Sequence, residues 1–172
     1  DVFVHDRLLG ETSLVTVPIG AGQASAAWAS LSDMSADGRF VAFTSMAPDL
    51  VVGDTNDASD VFVRDRTSGT TTRVSVTSSG GQLAEGSSGG SLSADGRYVS
   101  FWSLATNLVA GDTNGVQDVF LRDLAANATV RLSANAGGTQ ANLACGAPTL
   151  SADGQWSAFS SRATNLVPGD AN

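Results

Sequence analysis

An all-β fold assembled from repeated four-stranded units is the class this sequence predicts, on three observations. First, landmarks recur with one period. Asp-Val-Phe-Val at 1–4 and 60–63 returns as Asp-Val-Phe-Leu at 118–121, and Ser-Ala-Asp-Gly stands at 35–38, 93–96 and 151–154. Gly-Asp at 53, 111 and 169 keeps the same 58-residue spacing, while Asp1 to Asp60 spans 59, which puts one extra residue within 24–34. Second, the periodicity inside a repeat is two: 97–103 and 118–122 are rich in β-branched and aromatic residues. Third, no segment shows the spacing of an amphipathic helix.

Taken in order, each repeat supplies four strands. Strand a is short and built of small residues (89–92, 147–150), which suits a crowded inner edge. Asp-Gly at 37–38, 95–96 and 153–154 then predicts a hairpin, because a tight turn needs positive φ and Asp-Gly tolerates it. Strand b follows that turn, an acidic b–c loop comes next, and the Asp-Val-Phe run is strand c. Strand d is the alternating stretch 70–76 after the turn Thr67-Ser68-Gly69, with its Arg-Val-Ser run at 73–75. The Ser, Thr and Gly tracts at 77–91 and 133–141 read as loops between units. Four-stranded units of this length repeated about an axis describe a β-propeller.

At the level of motif, Ser93-Ala94-Asp95-Gly96-Arg97-Tyr98-Val99-Ser100-Phe101 followed by Asp118-Val119-Phe120-Leu121-Arg122-Asp123 resembles the TolB-type, WD-like β-propeller repeat. That family reads Ser-Pro-Asp-Gly-x-x-Ile-Ala-Phe and then Ile-Tyr-Val-x-Asp. Here Ala replaces Pro and the b–c loop is longer. The resemblance covers the chain and implies the fold; such repeats serve scaffolds, binding proteins and peptidase-attached domains alike.

The repeats divide the chain as one arc over 1–172. Outer strands c and d of a split blade occupy 1–17, full blades 28–77 and 89–134, and inner strands a and b of the split blade 146–172. Three blades do not close a ring, since propellers have about four to eight. Two closures are open: a homodimer completing a six-bladed ring, each terminal c–d pair finishing the partner's a–b pair, or a longer polypeptide of which this is half.

Composition excludes several classes. The 172 residues are 42% hydrophobic and 15% charged, with 9 basic residues, all Arg, against 17 acidic ones, for a net charge of −8. That balance argues against nucleic acid and anionic lipid as partners. No apolar stretch reaches 18 residues, so no membrane span is expected. The single Cys145 excludes an internal disulfide. The chain starts at Asp1 with no leader pattern, which reads as a processed or trimmed product. The acidic, lysine-free composition with Ser/Thr/Gly-rich loops resembles bacterial secreted or periplasmic propellers.

Each b–c loop reads Asp-x-Asn-x-x-x-Asp: Asp54, Asn56 and Asp60, then Asp112, Asn114 and Asp118; in the third repeat Asp170 and Asn172 would be completed by Asp1 of a following unit. Converging oxygens make these candidate calcium ligands. The alternative is a metal-free Asx turn, in which Asp and Asn cap their own backbone. Asp65 and Asp123 lie a strand away, about 16 Å, and cannot share the ion.

Other chemistry is sparse. His5, the only histidine, replaces Arg64 and Arg122 and reads as a tolerated strand substitution; no Gly-x-Ser-x-Gly elbow accompanies it. Cys145 reads as a buried inert thiol. Glu11 and Glu85 are the only glutamates, which disfavours a glycosidase, and Gly80-Gly81 has neither phosphate-loop pattern nor Lys. Trp102 and Trp156 stand where other repeats have Thr44 and Ser160, or Phe40 and Tyr98, and read as packing between blades. The expected function is a non-enzymatic binding or protein-interaction module, calcium-stabilised in one version. The alternatives are a lectin-like propeller, which wants Trp28 or Trp102 exposed, and an accessory domain of a secreted hydrolase.

Overall fold

The computed structural model describes residues 1–20, 22–25 and 28–170. Twelve strands and no helix occur among them. In chain order these are β1 (Phe3–Asp6), β2 (Glu11–Leu14), β3 (Ala29–Met34), β4 (Phe40–Ser45), β5 (Asp60–Asp65) and β6 (Thr70–Arg73). The chain continues through β7 (Ser87–Leu92), β8 (Tyr98–Ser103), β9 (Asp118–Asp123), β10 (Ala128–Arg131), β11 (Cys145–Leu150) and β12 (Ser157–Ser161). Two antiparallel sheets have the order β3-β4-β5-β6 and β7-β8-β9-β10; β1-β2 and β11-β12 are two-stranded. The a-b-c-d order of two full blades and two half-blades follows.

Each Ser-Ala-Asp-Gly turn is a self-contained device. Ser35 Oγ donates to Asp37 Oδ1 and accepts from Phe40 N, Asp37 Oδ1 accepts from Arg39 N, and Gly38 takes φ +71°. The same bonds recur at Ser93–Tyr98 and Ser151–Trp156. At the c–d turns, Asp6, Asp65 and Asp123 each accept two backbone N–H groups. Asp65 and Asp123 additionally take both nitrogens of a fork from Arg39 and Arg97 on the neighbouring strand.

Two sequence boundaries need correction. Strand d ends at Arg73 and Arg131, before Val74-Ser75 and Leu132-Ser133, because Ser75 and Ser133 turn their hydroxyls inward to an aspartate. The tract 77–91 is not all loop: 87–91 belongs to β7. A bulge between Ser88 and Ser91 takes up the glycines, with Gly89 at φ +70°.

Three apolar cores lie at the seams between successive blades. Val2 and Val15 of the first half-blade pack with Val41, Phe43 and Phe62. Ala42, Val61 and Val63 pack with Val99, Phe101 and Phe120. Val119 and Trp102 pack with Cys145, Ala163 and Phe159. Phe43 stacks on Phe62 at 5.6 Å between centroids and Phe101 on Phe120 at 5.9 Å, all four rings fully buried. Each such ring contributes about 2–3 kcal/mol by burial.

A second contact repeats at the seams. A Cβ built on Gly96 would stand 2.2 Å from the ring of Phe40, and one on Gly154 would stand 2.4 Å from that of Tyr98. The aromatic at the start of strand b thus lies on the turn glycine of the next blade. Only glycine allows both this approach and the positive φ.

Candidate functional site

The acidic loops are the first candidate. In the first complete loop Asp60 is fully buried and accepts from Ser75 Oγ at 2.5 Å and from Asn56 Nδ2 at 3.2 Å. Asn56 turns its amide nitrogen to the carboxylate and to Leu83 O, while its Oδ1 caps Ala58 N. Asp54 accepts from Gln82 Nε2 at 2.9 Å. Between the two carboxylates lies a residue the sequence reading placed only in strand d. Arg73 Nη1 is 3.1 Å from Asp54 Oδ1 and 3.5 Å from Asp60 Oδ2. The nitrogen is off the hydrogen-bond axis, so the contact is Coulombic.

The second loop repeats this plan. Asn114 donates to Asp118 and to Ala141 O and caps Val116 N, and Ser133 donates to Asp118. Arg131 Nη1 lies 3.3 Å from Asp112 and 4.0 Å from Asp118. Burial pushes the carboxyls of Asp60 and Asp112 up, against the pull of the arginines. A guanidinium therefore stands among the oxygens that were candidate calcium ligands, and the two asparagines present nitrogen to the centre. Among the described residues no three His, Cys, Asp or Glu side chains are grouped to hold a metal.

The third set is not brought together. Asp1 is in the half-blade at one end, where Thr16 Oγ donates to it at 2.7 Å and Gln23 Nε2 at 2.6 Å. Asp170 follows β12 at the other end, and Asn172 lies outside the described residues. The position of Arg73 and Arg131 is Leu14 in this repeat. The recurrence of Arg at 73 and 131 is the sequence signal for the loop cations.

The isolated groups have plain roles. His5 Nδ1 pairs with Thr12 Oγ1 at 2.8 Å on an exposed strand. Cys145 is buried, its Sγ 3.1 Å from Ser161 Oγ, and burial pushes its thiol up, away from the reactive thiolate. Trp102 is half-buried in the third seam, as packing required. Trp28 is 49% exposed and Trp156 74%.

The repeats differ at the two outer sheets. Among the described residues β12 pairs with β11 alone, and β1 with β2 alone. Phe3 stands where Phe62 and Phe120 are fully buried, yet it is 57% exposed. Phe159 stands where Phe43 and Phe101 stack on those rings. Trp156 occupies the position of Phe40 and Tyr98. Gly38, at the other end, has no ring over it, only Arg66 and Met34 atoms at 3.7 and 3.9 Å from a built Cβ.

No family model matches the chain, and no curated protein does. Among solved structures it is similar to a TolB protein from Agrobacterium tumefaciens, with 17% identity and a TM-score of 0.53 over 85% of this chain and 42% of that one. It is also similar to TolB from Acinetobacter baumannii, with 18% identity and a TM-score of 0.50 over 91% of this chain and 31% of that one. The likeness is one of fold, and the chain spans less than half the length of either structure.

Proposed function

We propose that the chain is a non-catalytic protein-interaction arc of propeller blades. The observation behind this reading is the run of four-stranded antiparallel blades, β3-β4-β5-β6 and β7-β8-β9-β10, with buried aromatic seams and acidic loops already filled by arginine, which favours recognition by the outer surface of the blades. Chromogenic ester, glycoside and peptide substrates should show no turnover above buffer. Sustained turnover of any of them that survives repurification would refute the proposal.

In this reading the two complete acidic loops are ion-paired staples whose cation is Arg73 or Arg131, in place of calcium. EGTA should leave the unfolding midpoint where it is; a lowered midpoint would return calcium to these loops. The acidic, lysine-free composition with Ser/Thr/Gly-rich loops supports a bacterial periplasmic or secreted location.

A further inference from the structure

We infer that the cleft between the linker 17–20 and the first full blade binds the carboxyl-terminal end of a short apolar peptide, with the terminal carboxylate on Arg64. The inference rests on the reading of the chain as a non-catalytic interaction module and adds the site and the ligand. Both walls of the cleft lie inside the chain: the linker that follows β2 on one side, and 50–52 with 69–71 of the first full blade on the other.

The seam between the two full blades shows what the equivalent groups hold when they are filled. There the linker Val76-Thr77-Ser78 lies against β10, the outer strand of the next blade. Thr129 Oγ1 donates to Val76 O at 2.8 Å, and Arg122 Nη1 donates to Thr77 O at 3.3 Å. Ser78 Oγ accepts from Thr129 N at 2.9 Å and donates to Thr129 O at 3.5 Å. An arginine and a threonine hydroxyl thus receive two consecutive carbonyls of a short peptide segment.

One repeat earlier the same place is taken by Val17-Pro18-Ile19. The approach is alike, since Val17 N donates to Val15 O as Val76 N donates to Val74 O. Beyond Val17 the copies part. Proline fixes its own φ and restricts the residue before it, and Ile19 has no hydroxyl to bridge to a strand. Ile19 N donates instead to Asp49 O at 2.8 Å, which draws the linker toward the b–c loop. None of the four bonds to the outer strand forms among the described residues. Thr71, the counterpart of Thr129, has its hydroxyl bonded to Arg64 Nη1 at 3.0 Å and to nothing in the linker. A cleft of about 450 Å³ opens there, within the range of about 300–1,000 Å³ that suits small ligands.

The lining sets the chemistry of the occupant. Pro18, Ile19, Val51 and Val52 form an apolar wall, with Ile19 56% and Val52 86% exposed. Arg64 and Thr71 form the polar one. Arg39, Arg73, Arg97 and Arg131 are each paired with aspartate, whereas among the described residues no carboxylate lies within 4 Å of Arg64. A ligand with carbonyls alone would repeat the second seam and leave that charge unpaired. Val76 O and Thr77 O are consecutive, which is the spacing of a terminal carboxylate and the carbonyl before it. A chain end therefore meets both groups: its carboxylate forks onto the guanidinium, and the preceding carbonyl takes the proton that Thr71 Oγ1 still has to give. The adjoining side chain covers Ile19 and Val52, so an apolar one is favoured. The peptide lies along the outer edge of β6, as in other strand-edge recognition.

The probe is N-acetyl-Val-Thr with a free carboxylate, copied from 76–77, followed by NMR at the Thr71 amide and Arg64 Nε–H. Titration to about 10 mM covers a dissociation constant of about 1 mM. Both signals should shift and saturate, and the carboxyl-terminal amide should bind about tenfold more weakly or worse. Arg64→Gln, which keeps a donor for Thr71, should lose binding by the same factor. The double variant P18T/I19S gives the linker the residues of 77–78; it should close the cleft and bind no peptide. Unshifted Thr71 and Arg64 signals, an amide that binds as tightly as the acid, or undiminished binding by P18T/I19S would overturn the inference. Inorganic phosphate that matches the peptide would overturn it too, by reducing the site to a contact for any anion. The titration reads binding without turnover, so its failure leaves the non-catalytic reading standing, and only the substrate assays can remove that.

Discussion

Replacing Arg73 by leucine tests whether the guanidinium holds the acidic loop together. Leucine is the residue the first repeat carries at this position, as Leu14, so the side chain is compatible with the local backbone. The side chains of Arg73, Asp54 and Asp60 are 10%, 5% and 0% exposed. At 3.1 and 3.5 Å each attraction is about 5 kcal/mol gross for an effective dielectric of about 20. Desolvation consumes much of that, and breaking a buried pair typically costs about 3–5 kcal/mol. Ser75, Asn56 and Gln82 still donate to the two carboxylates, and the raised carboxyl of Asp60 can take a proton. The expected loss is therefore at the lower end, about 3 kcal/mol, or roughly 6–12 °C in midpoint for a chain of this size. Urea unfolding with an unchanged m-value measures it. A loss below about 1 kcal/mol would refute the assignment, as would full recovery of the variant by calcium with no effect on the wild type.

Three further outcomes follow from the turns and seams. Gly96→Ala combines a left-handed φ, costing about 1–2 kcal/mol, with overpacking against Phe40 of about 1–3 kcal/mol. Gly111→Ala, at φ +75° in open space, should cost only the first part, and equal losses in thermal melts would deny the seam contact. Ala147→Gly should stabilise by about 1 kcal/mol, since Ala147 holds φ +48° where the neighbouring blade has glycine; a destabilised variant in urea would contradict the strain. Arg97 holds the Asp123 carboxyl down to about 2, and Arg39 holds that of Asp65 lower still. Folded values below the unfolded 3.8 mean stabilisation that is present above about pH 4 and lost as pH falls toward 2. Arg97→Gln, the residue the third repeat uses at 155, should shrink that acid-side fall in melting temperature; an undiminished fall would mean that the fork contributes nothing.

The repeat made most of the fold legible in advance. A 58-residue period, an alternation of two and an Asp-Gly turn define strands, hairpins and blade order without reference to anything distant. What escaped depends on pairing between remote residues. Arg73 looks like one polar position of an exposed strand until Asp54, 19 residues earlier, is folded against it. The bulge at Gly89 belongs with the ring of Trp102: a Cβ there would meet that ring at 3.2 Å, whereas Ser160 leaves room for Ala147. The exposure of Phe3 is invisible in a run identical to that of the buried Phe62, because burial is set by the neighbouring strand and not by the run itself.

The glycine beneath each aromatic also bears on how such a chain can change in length. The second and third seams use the same parts, one ring at the start of strand b and one bare backbone turn in the unit that follows. A duplication or deletion of 58 residues therefore joins a ring to a glycine wherever the crossover falls, and no new interface has to be invented. Blade number is then limited by the curvature that closes the ring, while the chemistry between blades stays constant as copies are gained or lost.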